Sequence, residues 1–245
     1  MRVSQGRSAA QVGTALVCLF MSGCIVVTSV GSGNRTTSAN SASAPGTAEL
    51  TVADSDGHSG WQPLFDGKSL DGWTTFADGD SATTWSARDG SLICSGSPVG
   101  YIKTARSFRD FELCLEWRFD PNKGAGNSGV LLRVEGADQV WPRSIEAQLH
   151  SENAGDIWNI GEFPMQADSR RTEGRRTVKA HPTNEVPLGE WNRYDIRLVG
   201  ERLELRVNGD LQNVALGCKG GSGPIALQAE GAYIEFRNIR VRELK

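Results

Sequence analysis

The clearest pattern of apolar and polar positions along the chain has a period of two. From Ile145 onward, the segment Arg143-Ser-Ile-Glu-Ala-Gln-Leu-His150 alternates apolar and polar residues. Successive side chains of a strand point to opposite faces of its sheet. The segment therefore predicts a strand with one apolar face and with Glu146, Gln148 and His150 in a row on the other, neighbours being roughly 7 Å apart.

A carboxylate, an amide and an imidazole in one row suit a groove that binds and processes a sugar. The same pattern is typical of an antiparallel strand with one solvated face. The strand taken alone leaves both interpretations open.

Other parts of the chain alternate in the same way. Phe111–Phe119 does so over nine positions, and residues 194–198 and 203–207 repeat the pattern. Within residues 234–241 the alternation slips by one position, which predicts a bulge near Arg237-Asn238.

Glycine-containing dipeptides separate these segments. Asp89-Gly90 and Asn208-Gly209 predict tight hairpin turns, because both central residues of a type I′ turn need a positive φ. Helical periodicity nowhere exceeds about two turns. Many short strands and Gly-rich turns predict an all-β sandwich or jelly roll.

A long segment, Ser151–Pro187, interrupts the alternation. Loops of this length inside compact domains are commonly functional. This one carries large side chains, among them Trp158, Phe163 and Met165, together with His181. We expect it to pack over the rest of the domain.

The N-terminal residues predict export and lipid attachment. Arg2 and Arg7 precede an apolar run, Val12–Met21, that is too short to span a bilayer. Met21-Ser22-Gly23-Cys24 resembles the bacterial lipobox, which predicts a signal peptide at residues 1–23 and a lipid anchor on Cys24. Soluble secretion after ordinary cleavage is the alternative. The predicted location is the bacterial cell envelope, in the periplasm or at the outer membrane.

The composition divides the rest of the chain. Residues 24–58 are rich in Ser, Thr, Ala and Gly, which predicts a flexible tether. Residues 59–245 have the size of one domain.

The net charge of the chain is −3, and no basic face with stacking aromatics is evident, which argues against nucleic-acid binding. The arginines at 170, 171, 175 and 176 cluster in the long segment, and we interpret them as a solvated loop.

Cys94, Cys114 and Cys218 lie in the predicted domain. The odd number allows one disulfide and one free thiol, and Cys94 could pair with Cys114. All three could equally be small buried hydrophobic residues. A CxxC motif and a zinc-ligand spacing are both missing from the sequence, which disfavours structural zinc.

Several segments, in this order, resemble one known family. They are Gly60–Thr74, Asp110–Asp120, Asn127–Val134, Ile145–Ser151, Asn153–Glu162, Gly189–Glu201, Gly223–Gly231 and Tyr233–Lys245. The family is the bacterial 3-keto-disaccharide hydrolases, also described as 3-keto-glycoside 1,2-lyase and 3-keto-2-hydroxy-glucal hydratase domains. The resemblance implies a concanavalin A-like lectin/glucanase jelly-roll sandwich. The family's strand commonly reads Glu-x-Gln-x-x-Asp, whereas here Ser151, preceded by His150, stands at the last position.

The resemblance also implies a reaction. A keto group at C3 of a glycoside acidifies the C2 proton, so a base can remove it and the group at C1 leaves by elimination. Water then adds, giving net hydrolysis. This chemistry needs a base, a group that stabilises the enolate and an acid near the leaving group. Glu146 and His150 are the candidate base or acid. Arg133 is the candidate enolate partner, with a surface arginine as the alternative.

Further residues are candidates for substrate binding. They are Gln148, Asp156, Trp158, Asn127 and Gln228. Trp158 could stack on a sugar ring or pack in the core. Glu146, His150 and Asp156 could also hold a divalent metal, although no known ligand spacing supports one. The implied partners are an oligosaccharide or glycoside substrate and an upstream sugar 3-oxidoreductase.

Two other functions compete with this one. Laminarinase-type enzymes of the same fold carry Glu-x-Asp-x-x-Glu on one strand, whereas here Glu146 is the strand's single carboxylate, which disfavours direct double displacement. A non-catalytic carbohydrate-binding module is the second alternative, because fold does not decide between binding and catalysis.

Overall fold

The computed structural model describes residues 60–80 and 83–245. The predicted signal peptide at 1–23, the lipidation site Cys24 and the tether at 24–58 lie outside these residues and stay predictions. In the part of the chain that is described, no helix is both long enough and apolar enough to cross a membrane.

Almost all regular structure in the described residues is β. The strands are β1 (Gln62–Pro63), β2 (Trp73–Ala77), β3 (Trp85–Arg88), β4 (Ser91–Cys94), β5 (Gly100–Thr104), β6 (Phe111–Phe119), β7 (Gly129–Glu135), β8 (Arg143–Gln148), β9 (Ile157–Ile160), β10 (Gln166–Ala167), β11 (Thr172–Glu173), β12 (Arg176–Thr177), β13 (Asn192–Val199), β14 (Arg202–Val207), β15 (Asp210–Leu216), β16 (Ala226–Ala229) and β17 (Ile234–Glu243). A short 3-10 turn spans Ser169–Arg171.

The strands form two antiparallel sheets. The nine-stranded sheet has the order β10-β15-β14-β13-β6-β17-β4-β3, with β1 added beside β17. The eight-stranded sheet has the order β11-β12-β9-β8-β7-β16-β5-β2. The predicted all-β sandwich is confirmed.

The inner faces of the two sheets share one apolar core. From β6, Leu113, Leu115 and Trp117 enter this core, and from β8, Ile145 and Ala147 enter it from the opposite side. Burial of such side chains is favourable by roughly 25 cal/mol per Å² of apolar surface. The period of two that the sequence shows therefore fixes which face of each strand points outward.

The predicted turns and bulge are present. Asp89, Gly90, Asn208 and Gly209 all have positive φ, as the two tight turns require. The register of β17 against β6 shifts between Arg237 and Arg240, beside Asn238 at φ +52°. This is the bulge that the slipped alternation predicts.

The segment 151–187 packs onto the domain, as expected, and four short strands lie within it. β9, β12 and β11 extend the eight-stranded sheet outward from β8, and β10 pairs with β15 of the other sheet. Phe163 is buried and Met165 packs against the core, whereas His181 is exposed.

The cysteines are small buried residues, the second of the two interpretations that the sequence allows. Within the described part of the chain, Cys94, Cys114 and Cys218 are free and buried. Burial raises the pKa of the Cys94 thiol to about 12 and those of Cys114 and Cys218 to about 11. They are packing residues rather than a disulfide.

Candidate active site

A cavity of about 360 Å³ opens on the outward face of the eight-stranded sheet, the face turned away from the core. Its lining residues are Asn127, Trp141, Glu146, Gln148, Trp158, Ile160, Arg175 and Glu230. They come from β8 and β9 and from the connections that precede β7, β8 and β12 and follow β16. Outward-facing residues of β8 and β9 form the floor of the cavity, and residues of the connections form most of its wall.

Glu146 occupies the floor of this cavity. It lies opposite Leu131 on β7 and Trp158 on β9, and only 5% of it is exposed. Its Oε1 has no hydrogen-bond partner within the described residues. Leu131 and Ile160 belong to a small outward-facing apolar cluster, so the carboxyl group sits on an apolar surface.

This environment disfavours the charged form of Glu146. Burial raises its pKa to about 8, and the negative charge of Glu230 acts in the same direction. A hydrogen bond from Gln228 and the positive charge of Arg175 partly oppose these effects. A carboxyl group that titrates near neutral pH is suited to proton transfer.

Gly129 makes room for the carboxyl group. A Cβ atom at this position would lie 2.4 Å from both Glu146 Oε1 and Gln228 Oε1. The glycine lies on β7, directly opposite Gln148. Close approach of these side chains, rather than an unusual φ, explains the absence of a side chain here.

Further polar atoms around the cavity are buried and unpaired. Asn127 Oδ1, Trp158 Nε1 and Gln228 Oε1 have no partner among residues 60–80 and 83–245. Buried polar groups are nearly always hydrogen-bonded in proteins. Sugar hydroxyls can both donate and accept, so a bound sugar would satisfy this mixed set.

Arg175 supplies a positive charge at the rim. Its guanidinium carbon lies 5.8 Å from the centre of the Trp158 ring, and its carbonyl oxygen accepts a 2.8 Å hydrogen bond from Asn159 N. Arg175 lies exposed in a turn, as the interpretation of the arginine cluster as a solvated loop expects, and it also lines the cavity. The interpretation is wrong for Arg176, which pairs with a buried carboxylate.

Asp156 does not line the cavity. Its carboxylate is fully buried and accepts hydrogen bonds from Arg176 Nε at 2.7 Å and Lys179 N at 2.8 Å. Arg176 lies on β12 opposite Trp158 on β9. Asp156 therefore ties β12 to the end of β9 and holds neighbouring Arg175 near the cavity, instead of contacting a ligand.

Arg133 also lies elsewhere. The β7 register shifts after Leu132, and Arg133 takes a φ of +50° there. Its side chain is 1% exposed and donates to the carbonyl oxygens of Cys218, Arg109 and Gly200 at 2.7, 2.7 and 2.9 Å. The bulge breaks the alternation on which the prediction depended, so this arginine cannot reach an enolate at Glu146.

The predicted polar row ends at Gln148. Its Oε1 accepts hydrogen bonds from the backbone N of Leu149 and of His150, at 2.8 and 2.9 Å, and the strand stops. His150 lies in the following turn, where it is exposed and its Nδ1 is 3.0 Å from Asn153 Nδ2. The imidazole is outside the cavity wall, although its charge lowers the pKa of Glu230.

The three proposed metal ligands are not brought together. Glu146 faces the cavity, Asp156 is paired with Arg176, and His150 is exposed in the turn. Among the described residues, no three His, Cys, Asp or Glu side chains cluster as a metal site.

Glu230 and Trp141 are cavity residues that sequence reasoning missed. Glu230 follows β16, and burial raises its pKa, whereas a hydrogen bond from Trp141 lowers it. Glu230 does lie in the segment 223–231 that carries the resemblance. Its position two residues after Gln228 was the available signal.

Comparison with known families agrees with this geometry. Residues 60–242 match the family described as the 3-keto-alpha-glucoside-1,2-lyase-like domain. The chain belongs to this family. The match covers every residue that lines the cavity and all the strands described above, apart from Glu243 at the end of β17.

A curated relative has a related name. The 3-keto-disaccharide hydrolase of Bacteroides thetaiotaomicron is 27% identical over 209 residues, which cover 74% of this chain and 70% of that protein. The 3-keto-alpha-glucoside-1,2-lyase-like family and this relative together indicate a carbohydrate-active, glycoside-hydrolase-like protein.

Solved structures confirm the fold. A candidate glycosyl hydrolase from Parabacteroides distasonis superposes with a TM-score of 0.57 at 22% identity, covering 76% of this chain and 94% of that one. The carbohydrate-binding module CBM66 from Bacillus subtilis gives 0.53 at 14% identity, covering 70% and 96%. The expected concanavalin A-like lectin/glucanase jelly roll is confirmed.

Proposed function

We propose that this protein cleaves 3-keto-glycosides by removing the C2 proton, eliminating the group at C1 and adding water. The observation that carries the proposal is Glu146. This carboxyl group lies on the apolar floor of the cavity, has a buried oxygen without a hydrogen-bond partner among the described residues, and has a pKa raised to about 8. Such a group suits proton abstraction near neutral pH better than an exposed carboxylate does.

The reaction balances with the groups that surround the cavity. Glu146 takes the C2 proton, and the electron pair of that C–H bond delocalises onto the C3 keto oxygen. The enolate re-forms its carbonyl as the C1–O bond breaks, and the departing oxygen takes a proton from Glu230. Water then adds at C1 while C2 regains a proton, which gives the free 3-keto sugar.

Arg175 replaces Arg133 as the cation in this scheme. It lines the cavity and interacts electrostatically with Glu146, so it can offset negative charge that develops on the substrate. Trp158, opposite Glu146, offers a ring for stacking. Asn127 and the amide nitrogen of Gln148, both from residues that line the cavity, are available to bind hydroxyl groups.

One observation favours a second candidate reaction. The strand β8 carries a single carboxylate, but Glu230 places a second one at the same cavity. Two carboxyl groups could in principle hydrolyse an unmodified glycoside directly. A binding module without activity is the third possibility that the experiment must separate.

The test uses purified residues 59–245 in D₂O with a 3-keto-disaccharide and, separately, the same disaccharide without the keto group. We expect turnover of the keto substrate alone, with deuterium at C2 of the product from the first turnovers and a primary isotope effect with C2-deuterated substrate. Free 3-keto sugar incubated without protein controls for spontaneous exchange. Cleavage of the unmodified sugar without C2 deuterium would support direct hydrolysis, and binding without turnover would support a module.

We further propose that the protein works at the bacterial cell envelope, anchored through Cys24, downstream of an oxidoreductase that makes the 3-keto sugar. The N-terminal sequence and the requirement for an oxidised substrate support this placement. Mass spectrometry of the mature N-terminal peptide tests it. A lipid-modified Cys24, and release of the Cys24→Ser variant from membranes, are expected, whereas an unmodified peptide would refute the anchor.

A further inference from the structure

The outward face of the nine-stranded sheet carries more arginines than carboxylates. On β6, β13, β14 and β17, the side chains that point away from the core include eight arginines and five carboxylates. The arginines are Arg118, Arg193, Arg197, Arg202, Arg206, Arg237, Arg240 and Arg242, and the carboxylates are Glu112, Glu116, Asp195, Glu204 and Glu235. This surface, which we call the arginine face, is therefore positive within a chain whose net charge is −3.

The guanidinium groups form the outer layer of the arginine face. In the ion pair of Arg197 with Glu112, the arginine side chain is 44% exposed and the glutamate 22%. The arginine is also the more exposed partner in the pairs Arg118–Glu235, Arg193–Asp195, Arg202–Glu204, Arg206–Glu204, Arg237–Glu116 and Arg242–Glu112. A partner that approaches this face meets N–H donors first, because the carboxylates lie beneath them.

Two tryptophans hold arginines of this layer in place. The guanidinium carbon of Arg237 lies 4.1 Å from the centre of the Trp191 ring. Those of Arg240 and Arg242 lie 5.4 and 5.1 Å from the centre of the Trp61 ring. Cations are attracted to the faces of aromatic rings. Side chains that are already held lose less conformational freedom when they bind a ligand.

The shape of the arginine face suits a planar anionic surface. Its four strands span about 14 Å, because adjacent strands lie about 4.8 Å apart. None of the exposed large apolar residues of the described chain lies on these four strands, so the face offers no apolar wedge for insertion into a bilayer. Guanidinium groups bind phosphate oxygens through paired hydrogen bonds. A plane of lipid phosphates therefore matches this face better than the interior of a membrane does.

The first described residues lie beside the arginine face. A Cβ atom on Gly60 would lie 3.6 Å from Arg242 Cδ, and β1, which follows Trp61, pairs with β17. With the lipid anchor proposed at Cys24, residues 25–59 would connect the lipid to this side of the domain. The candidate active site lies on the outward face of the other sheet. Docking through the arginine face would leave that cavity turned away from the bilayer.

We propose that the arginine face docks on the headgroup phosphates of an anionic lipid bilayer and so turns the candidate active site toward the surrounding solution. This inference goes beyond the proposed function, because it does not depend on the reaction that the cavity performs. Each net positive charge near an anionic bilayer strengthens binding about 5-fold.

The test uses residues 24–245 with Cys24→Ser, so that no lipid anchor contributes, and sedimentation with vesicles of phosphatidylcholine alone or mixed with phosphatidylglycerol. We expect binding to the mixed vesicles alone, weakened by added salt. The double variant Arg197→Gln/Arg206→Gln should bind about 10-fold more weakly.

The matched control is the double variant Arg143→Gln/Arg170→Gln. It also removes two arginines from ion pairs, with Glu135 and Asp168, but both lie outside the arginine face. Its binding should stay within about 2-fold of that of the parent protein. Thermal melts verify that both double variants are folded, and Arg202→Gln alone should weaken binding in the same direction by about 3-fold.

Two results would overturn the docking surface. They are a lack of binding to the mixed vesicles and an equal loss of binding in the two double variants. Binding of soluble dextran sulfate without binding of vesicles would also overturn the lipid as the partner and would indicate an acidic polysaccharide. Turnover of the keto substrate, measured separately, tests the proposed function independently of all these outcomes.

Discussion

The outward faces of the two sheets carry the same kind of alternating sequence but bear opposite chemistry. On the nine-stranded sheet, the outward carboxylates of β6 are paired, Glu112 with Arg242 and Glu116 with Arg237. On the eight-stranded sheet, the outward carboxyl group of β8, Glu146, has no ion-pair partner among the described residues and is almost completely buried.

The difference lies in what covers each face. Ion pairs that are open to solvent contribute little to stability. Glu146 is instead buried on the floor of the cavity, and this burial raises its pKa. Each strand supplies a carboxyl group, and the surroundings decide whether that group is paired with an arginine or buried without a charged partner.

The largest effect on activity should come from replacing Glu146, and a carboxylate on the other sheet, Glu116, provides the control. Glu146→Gln keeps the volume and removes proton transfer, so kcat should fall about 10²–10⁴-fold. Glu116→Gln, on the other sheet, should leave activity unchanged and stability within about 0.5 kcal/mol. Initial rates on a 3-keto-disaccharide and thermal melts measure both. Equal activity of Glu146→Gln and Glu116→Gln would show that the outward carboxyl groups of the two sheets do not differ in function.

Gly129→Ala should displace the carboxyl group without removing it. The new methyl group would lie too close to Glu146 Oε1, Glu146 Cγ and Gln228 Oε1, so both side chains must shift. We expect kcat/KM to fall about 10²-fold, because catalytic groups tolerate little misplacement. Gly221→Ala, whose added Cβ meets nothing within 4 Å, is the matched control. Full activity of Gly129→Ala would show that the position of Glu146 is not critical.

Removing the charge of Asp156 should destabilise the domain. Asp156→Asn leaves Arg176 without its buried partner, at a cost of about 2 kcal/mol once the partial exposure of Arg176 is taken into account. The exposed pair of Asp195 and Arg193 is the comparison, and Asp195→Asn should cost less than about 0.5 kcal/mol. Urea unfolding of both variants gives their free energies of unfolding. Similar losses in the two variants would contradict a stabilising role for the buried Asp156–Arg176 pair.

The last prediction concerns the pH profile of wild type and of one variant. A base acts when it is deprotonated, and the pKa of Glu146 is raised to about 8, so kcat/KM should rise with pH and level off above about 8. Arg175 lowers this pKa, so Arg175→Ala should move the rise to higher pH as well as weaken catalysis. A pH profile that is flat from 5 to 9 in the wild type would exclude Glu146 as the titrating base.

The sandwich could be predicted well from the sequence, because the patterns that indicate strands and turns involve neighbouring residues. Alternation, the two hairpin turns and the bulge beside Asn238 depend on neighbouring residues, and all are present in the structure. Glu146 could be assigned to a polar strand face for the same reason.

The walls of the site are harder to predict, because loops bring them from distant parts of the chain. Arg175 and Glu230 come from connections 55 residues apart in the sequence, and nothing in their local pattern indicates that they meet at Glu146. Local exceptions mislead as well. A single left-handed residue redirects Arg133 into a network of carbonyls, and one side-chain cap at Gln148 ends the strand before His150.

The two thiols in the core, Cys94 and Cys218, have a practical consequence. Alkylating reagents attack the thiolate, and the raised pKa values of these two thiols suppress it while the core is closed. Their labelling in native buffer should therefore wait for the sandwich to open. These two thiols are built-in reporters of the opening of the core, without any engineered probe.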